Sequence, residues 1–481
     1  MRSRIILAAA VLGVASALVS AVPAPAAPPF TVNSTLDEHD RVADGVCRSA
    51  PSNVCTLRAA LEEVNGVFGS GNINLPAGTY ALRLGDIDIT ASPTISGAGA
   101  GRTVLDGGGA NRVFEIREGG FAYIEKVTIR GGAGGPSSVF PGHVHGGGIH
   151  NHGQLILVRS TLVDNVASTG GGITNAGTGV LTLVEDTITG NTATGQGGGF
   201  ENLGAATLAN VTISHNGGSS GMFSTKALRA NNTLLASNGP ANCLYAGMGA
   251  LEAAGSGHNL DSGNTCGFVG PGDLTKRDPL LGALRSDGTR PLAAGSPAID
   301  AGDSSAASCS RTDERGVPRP MDGNRDGSAA CDIGAFEYAR RLRLTRHHLR
   351  GQDVRWVERR LNFHGAGPLE IDGDFGPGTA AAVRRFQTAR ALPATGTVGP
   401  ETYAALALAP RTLRLATPHM RGRDVRWVEL RLNVHRAGPL EVDGDYGSGT
   451  AAAVRRFQAA AGLTVTGEVT PATYEALARP R

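Results

Sequence analysis

Four of the chain's 12 histidines, His143, His145, His150 and His152, fall in the single stretch GHVHGGGIHNHG. Imidazoles at this density have the donor chemistry of a zinc or copper site if the backbone turns them to one side and outer partners hold each ring; otherwise they decorate a polar loop. DGNRDG (322–327) has the opening of a calcium loop, with Asp322, Asn324 and Asp326 as oxygen ligands, which makes calcium the one candidate cofactor. Its twelfth position is Ile333 rather than glutamate, with Asp332 one residue early, so an Asx-rich turn beside Cys331 is the competing reading. The neighbours Glu185 and Asp186 are the nearest approach to a catalytic carboxylate pair. Arg355, Trp356, Arg384 and Arg385 recur as Arg426, Trp427, Arg455 and Arg456. Such groups offer forked cations for carboxylates and rings that stack on sugars, or else solvating charges around a buried indole.

Glycine sets the kind of scaffold that must hold these groups. The 481 residues include 70 glycines with no Gly-X-Y period, so the chain is turn-rich and long enough for several domains. MRSR, the apolar run from Ile5 to Val22 and the small-residue site Ala24-Pro25-Ala26 predict a secretory signal over 1–26. No later stretch is apolar enough to span a bilayer. Export permits disulfides, and spacing suggests the local pairs Cys47–Cys55, Cys243–Cys266 and Cys309–Cys331, although six cysteines leave other connectivities open. From residue 341 onward 21 arginines face 13 acidic residues, whereas the whole chain carries only +2. A basic tail on an exported protein points to an acidic surface such as a cell wall rather than to nucleic acid.

Two repeat systems organise the chain. GGGIHN (146–151), GGGITN (170–175) and GGGFEN (197–202) alternate with STLVDN (160–165), DTITGN (186–191) and VTISHN (211–216). One short turn of chain cannot bury its own apolar side, but stacked turns bury a continuous core, so this period predicts a β-solenoid. Asparagines at matching positions (Asn151, Asn175, Asn202; Asn165, Asn191, Asn216) are expected at left-handed corners and in hydrogen-bonded ladders. The pattern resembles the right-handed parallel β-helix of secreted polysaccharide-active enzymes and bacterial surface proteins, over residues 72–300.

The flanks carry further resemblances. TVNSTLDEHD (31–40) and CTLRAALEEVN (55–65) resemble the domain named for its Cys-Ser-Leu-Arg-Glu-Ala signature, which implies an N-terminal cap over 27–71. Leu57, Leu61 and Val64 share one helical face, and Thr56 serves as N-cap, although Ala59 lacks the carboxylate of a capping box. Residues 278–303 and 313–338 resemble the choice-of-anchor Q module, whose C-terminal part is assigned to 301–340. That family joins β-helix bodies to differing surface anchors.

The second repeat supplies such an anchor. GQDVRWVERRLNFHGAGPLEIDGDFGPGTAAAVRRFQ (351–387) returns as 422–458 at a period of 71 without a gap. Val354, Val357 and Leu361 share a helical face, while Thr379 and Thr450 are expected to cap AAAVRRFQ. Both copies resemble the three-helix bacterial peptidoglycan-binding domain, which implies binding units at 341–410 and 411–481. The glutamine usual in that family is replaced by Glu358 and Glu429. The resemblance implies peptidoglycan as partner, with Arg355, Trp356, Arg384, Arg385 and their second-copy equivalents near the ligand.

Alignment on Thr161, Thr187 and Thr212 finds no column with two stacked carboxylates, and places Arg159 beside Glu185 as a cross-coil ion pair, worth little if exposed. The spacing before Thr161 leaves room for an inserted loop ending near His145, with His150 and His152 facing solvent beneath it. The sequence thus describes an exported wall protein: a parallel β-helix serving as adhesin, glycan-binding or structural module, held noncovalently by two peptidoglycan-binding domains. Other wall or extracellular polysaccharides are further candidate partners. The alternative is a wall-tethered polysaccharide lyase or glycoside hydrolase.

Overall fold

A computed structural model describes residues 29–136, 144–246, 257–305, 308–324, 326, 328–407 and 412–478. The signal segment 1–26 and His143 lie outside the described residues. The described chain divides into two compact units, one ending at Tyr338 and one beginning at Ala339.

The first unit is a parallel β-helix. Its strands stack into three parallel sheets of eight, seven and nine strands. In the eight-stranded sheet the inward positions form one aliphatic column, Ile73, Ile95, Ile124, Leu157, Leu183 and Leu208, each paired in register with the next. The nine-stranded sheet contributes Leu105, Ile129, Leu162, Ile188, Ile213 and Leu235, and the seven-stranded sheet Ile87, Phe114, Ile149, Ile173, Phe200 and Met222. All are buried, and each full burial contributes roughly 1.5–3 kcal/mol. The period of the sequence is therefore the circumference of one coil.

Asparagine ladders run up two corners. Asn151 Nδ2 donates to Asn175 Oδ1 and Asn175 Nδ2 to Asn202 Oδ1, both at 2.8 Å. Asn165, Asn191, Asn216 and Asn238 form the second ladder at 2.9, 3.0 and 2.9 Å. The left-handed backbone expected at these asparagines lies one residue earlier instead, at Asp164, Gly190, His215 and Ser237. The ladder residues are fully buried because their amides replace the missing backbone partners of the corner.

Helix α1 (Leu57–Glu63) covers the first coil, with Leu57, Leu61 and Val64 buried and the Thr56 hydroxyl accepting from Ala59 N. Buried Arg58 fastens this cap: it pairs with Asp37 and donates to the carbonyls of Gly85 and Asp86. The disulfides are Cys47–Cys55, Cys243–Cys266 and Cys309–Cys331.

After the last strand, the segment up to Tyr338 folds back over the outer face of the nine-stranded sheet. That face presents a column of threonines. Thr161 donates to Gly288 O at 2.9 Å, Thr187 to Glu314 at 2.7 Å, and Thr212 accepts from Ala335 N at 3.0 Å.

The second unit holds two copies of a three-helix bundle: α2 (Gln352–Phe363), α3 (Pro377–Ala389) and α4 (Pro400–Ala407), then α5 (Arg423–Val434), α6 (Ser448–Ala460) and α7 (Pro471–Ala478). Phe363 at the end of α2 inserts edge-on against Trp427 and Tyr474 of the second copy, at ring separations of 5.8 and 4.8 Å. Thr379 and Thr450 do not cap their helices. The N-caps are Gly376 and Gly447, and the threonine hydroxyls instead donate inward to Glu358 and Glu429.

Candidate functional site

The outer face of the seven-stranded sheet carries one column of polar side chains. Register pairs Asp88 with Glu115, Glu115 with His150, His150 with Thr174 and Thr174 with Glu201. Carboxylates therefore do stack in adjacent coils, contrary to the sequence alignment on the threonine column. That alignment sampled a different sheet, and Asp88 and Glu115 lie in early coils that lack the GGG and asparagine signatures.

The His-rich stretch joins this column. Gly147 and Gly148 sit where an added Cβ would meet the Gly171 and Gly172 carbonyls at 2.2 and 2.8 Å, so only glycine permits the coils to stack here. The strand Ile149–Asn151 then turns Ile149 and Asn151 inward and His150 outward, and His152 follows on the same side. The two rings lie 4.1 Å apart, and His145 stacks on His150 at 5.8 Å. His150 is half-buried rather than solvent-facing, because the rings of His145 and His152 pack beside it. Burial, followed by the nearby positive charge of Arg112, pushes His150 down to about 2.

Arg112 fastens the chain at His145 and Gly146. It is 2% exposed and pairs with Glu115 and with Asp86, the latter at 3.3 Å. It also donates to the carbonyls of Gly146 and His145 at 3.1 and 3.0 Å. Arg117 holds the other Glu115 oxygen at 2.8 Å and is itself paired with Asp88 at 2.9 Å. Farther along the column Glu201 accepts from Thr169 at 2.7 Å and Thr174 at 3.0 Å, with His145 Nδ1 3.6 Å away. Glu115, His150 and His152 offer ligand atoms within 4.8 Å of one another, as do Asp86, Asp88 and Glu115.

Other sequence candidates lie elsewhere. Glu185 and Asp186 are buried beneath the C-terminal cover and cannot meet a polymer. Glu185 pairs with Arg319 at 3.4 Å, and burial pushes it up to about 8. Asp186 accepts from the backbone of Ser160 and Val184 at 2.8 and 2.9 Å, which makes it a corner tie. Arg159 does not pair with Glu185 but with Glu125, at 3.4 Å. In the 322–327 loop, Asn324 and Asp326 accept from backbone N–H groups two residues on, at 2.8 Å, as Asx turns do. The half-buried acid Asp300 receives Gly323 and Asn324 N–H.

In the helical unit each copy forms the same polar groove, of about 430 Å³ in the first and 460 Å³ in the second. Arg350, Arg355, Asp372 and Asp374 line one; Arg421, Arg426, Asp443 and Asp445 line the other. Gly373 and Gly444 have φ of +79° and +80° and lie under the stems of Arg355 and Arg426, where a Cβ would collide. Glu358 fixes the first loop by accepting from Gly373 N at 2.9 Å, as Glu429 does from Gly444 N. Glu358 and Glu429 are therefore internal and shape the groove from behind. Arg350 and Arg421, missed in the sequence, pair with Asp374 and Asp445 at 2.9 and 2.7 Å. Their equivalence across the period of 71 was the signal for them.

The other arginines are placed differently. Arg385 and Arg456 donate to the Ala366 and Ala437 carbonyls at 2.7–2.9 Å, bracing the bundle. Arg384 and Arg455 lie over Gly396 and Gly467. Trp356 stacks on Tyr403 at 5.9 Å and stays partly exposed, while Trp427 packs against Phe363 and Tyr474.

Residues 350–406 and 421–477 match the family described as "Putative peptidoglycan binding domain". A stretch of 80 residues is 42% identical to the zinc D-Ala-D-Ala carboxypeptidase of Streptomyces albus G, covering 16% of this chain and 31% of that enzyme. The chain thus spans less than a third of the length of that relative. Among solved structures, pectate lyase Pel9A aligns over 65% of this chain and 97% of its own, at 14% identity and a TM-score of 0.34. No helix among the described residues is long and apolar enough to cross a membrane.

Proposed function

We propose that the chain is an exported, wall-associated protein whose helical unit grips peptidoglycan noncovalently and whose β-helix acts at the surface as a glycan-binding or structural module. The observation that carries this reading is the duplicated groove inside the two stretches that match the peptidoglycan-binding family. Stem-peptide carboxylates suit the forked guanidinium of Arg355 or Arg426, and glycan hydroxyls and N-acetyl groups suit the flanking Asp372 or Asp443. Two linked sites on a repeating polymer act at high effective concentration, so weak single contacts give firm retention. The segments 27–71 and 301–340 are read as the CSLREA-type cap and the choice-of-anchor Q part; the fastened helix α1 and the cover over the threonine column support those assignments. Deleting residues 341–481 should move the protein from the sacculus to the medium. Retention of the truncated protein on the sacculus would overturn the anchor reading.

A second reading has its own support. Asp88 and Glu115 stack in adjacent coils on one outer face of the β-helix, the kind of carboxylate clustering a polysaccharide lyase or glycosidase uses. Turnover of uronic acid polymers or wall glycans, abolished in Asp88→Asn, would favour it; absence of product from both substrate classes would remove it.

A further inference from the structure

We infer that Glu115, His150 and His152 form a binding site for a first-row divalent metal of the zinc class on the outer face of the seven-stranded sheet. The three donor atoms lie within 4.8 Å of one another. Two imidazoles and one carboxylate are a zinc donor set; a calcium or magnesium site would offer oxygen alone. The ring nitrogens of His150 and His152 make no hydrogen bond among the described residues, and the carboxylate beside them is Glu115, whose Oε1 lies 3.8 Å from His152 Nε2.

The surroundings have the features of an outer coordination sphere. Arg112 holds one Glu115 oxygen and Arg117 the other, which fixes the carboxylate's orientation while lone pairs remain for a metal. Each arginine is balanced by its own aspartate, Arg112 by Asp86 and Arg117 by Asp88. Glu115 therefore keeps a net negative charge to offer a cation. The backbone is fixed as well: His150 is in register with Glu115 in the preceding coil, and Gly147 and Gly148 allow the coils to approach. Three protein donors leave one position for water or an oxygen of a bound saccharide.

The site is independent of the wall-binding reading, because it lies wholly within the first unit. The test is calorimetric titration of the chelator-treated full chain with zinc chloride, repeated on His150→Gln and His152→Ala. We expect one equivalent bound by the wild type, and at least a tenfold loss of affinity in each variant, with unfolding curves of the metal-free proteins unchanged. Zinc X-ray absorption on the wild type should show two imidazoles and one carboxylate, and keeps the test decisive if a variant fails to fold. No heat with the wild type, undiminished binding in both variants, or a spectrum with a different donor set would overturn the site.

Discussion

Replacing Arg112 with leucine removes a side chain that joins the backbone at His145 and Gly146 to the outer carboxylates Glu115 and Asp86. The guanidinium pairs with Glu115 and Asp86 and satisfies the carbonyls of His145 and Gly146. Leucine fills much of the volume but leaves two carbonyls and part of a carboxylate pair without donors in a nearly dry site. Breaking a buried ion pair by removing one partner costs about 3–5 kcal/mol. In a unit of this size that corresponds to a fall in Tm of roughly 5–8 °C. Arg117 provides the comparison: it touches the same Glu115, but it and its partner Asp88 are 49% and 50% exposed. Loss of Arg117 should cost below about 1 kcal/mol. Urea unfolding of the full chain followed by the strand signal in circular dichroism measures both. Both tryptophans lie in the helical unit, so their fluorescence reports separately on that part of the chain. Equal destabilisation by Arg112→Leu and Arg117→Leu would refute the claim that burial, rather than charge alone, gives Arg112 its role.

The ladder and the groove yield further expectations. Asn191→Ala removes an amide that accepts from Asn165 and donates to Leu162 O and Asn216, leaving buried groups orphaned at about 1–3 kcal/mol each. It should destabilise the β-helix by about 3–5 kcal/mol, whereas Thr178→Ala, at an exposed hydroxyl, should change stability by less than about 0.5 kcal/mol; equal effects in chemical denaturation would contradict the ladder's role. Burial pushes Glu358 from an ordinary 4.5 up to about 7 and raises Glu429 as well. Between those pH values the unfolded chain releases the Glu358 proton while the folded bundle keeps it, so stability of the helical unit falls as pH rises through that window. Thermal unfolding monitored by tryptophan fluorescence should show that slope in the wild type and a flatter one in Glu358→Gln/Glu429→Gln; identical slopes would refute it.

The β-helix was legible because each coil repeats the same local requirements: glycine where coils touch, asparagine where the corner lacks backbone partners, and aliphatic residues inward. The polar column was not legible in the same way. Glu115 stands 35 residues before its register partner His150, on the far side of the insertion, and no repeated motif marks it. Glu185 stood as a catalytic candidate and as the partner of Arg159 because nothing in its own coil indicates that residues near Arg319 return to cover that face. Thr379 looked like a helix cap, yet Pro377 two positions earlier was the stronger signal, since proline suits the first helical residue. The groove arginines were half found: the period placed all of them in matched pairs, but only tertiary contacts separate Arg355, at the groove, from Arg385, tied to the Ala366 carbonyl.

Sedimentation of the purified chain with isolated peptidoglycan tests the central claim most directly. The wild type should pellet with the polymer, Arg355→Ala should weaken retention, and Arg355→Ala/Arg426→Ala should release most of the protein, since both grooves are then disabled. Undiminished pelleting of the double variant, with its fold intact, would contradict the assignment of peptidoglycan binding to the duplicated groove.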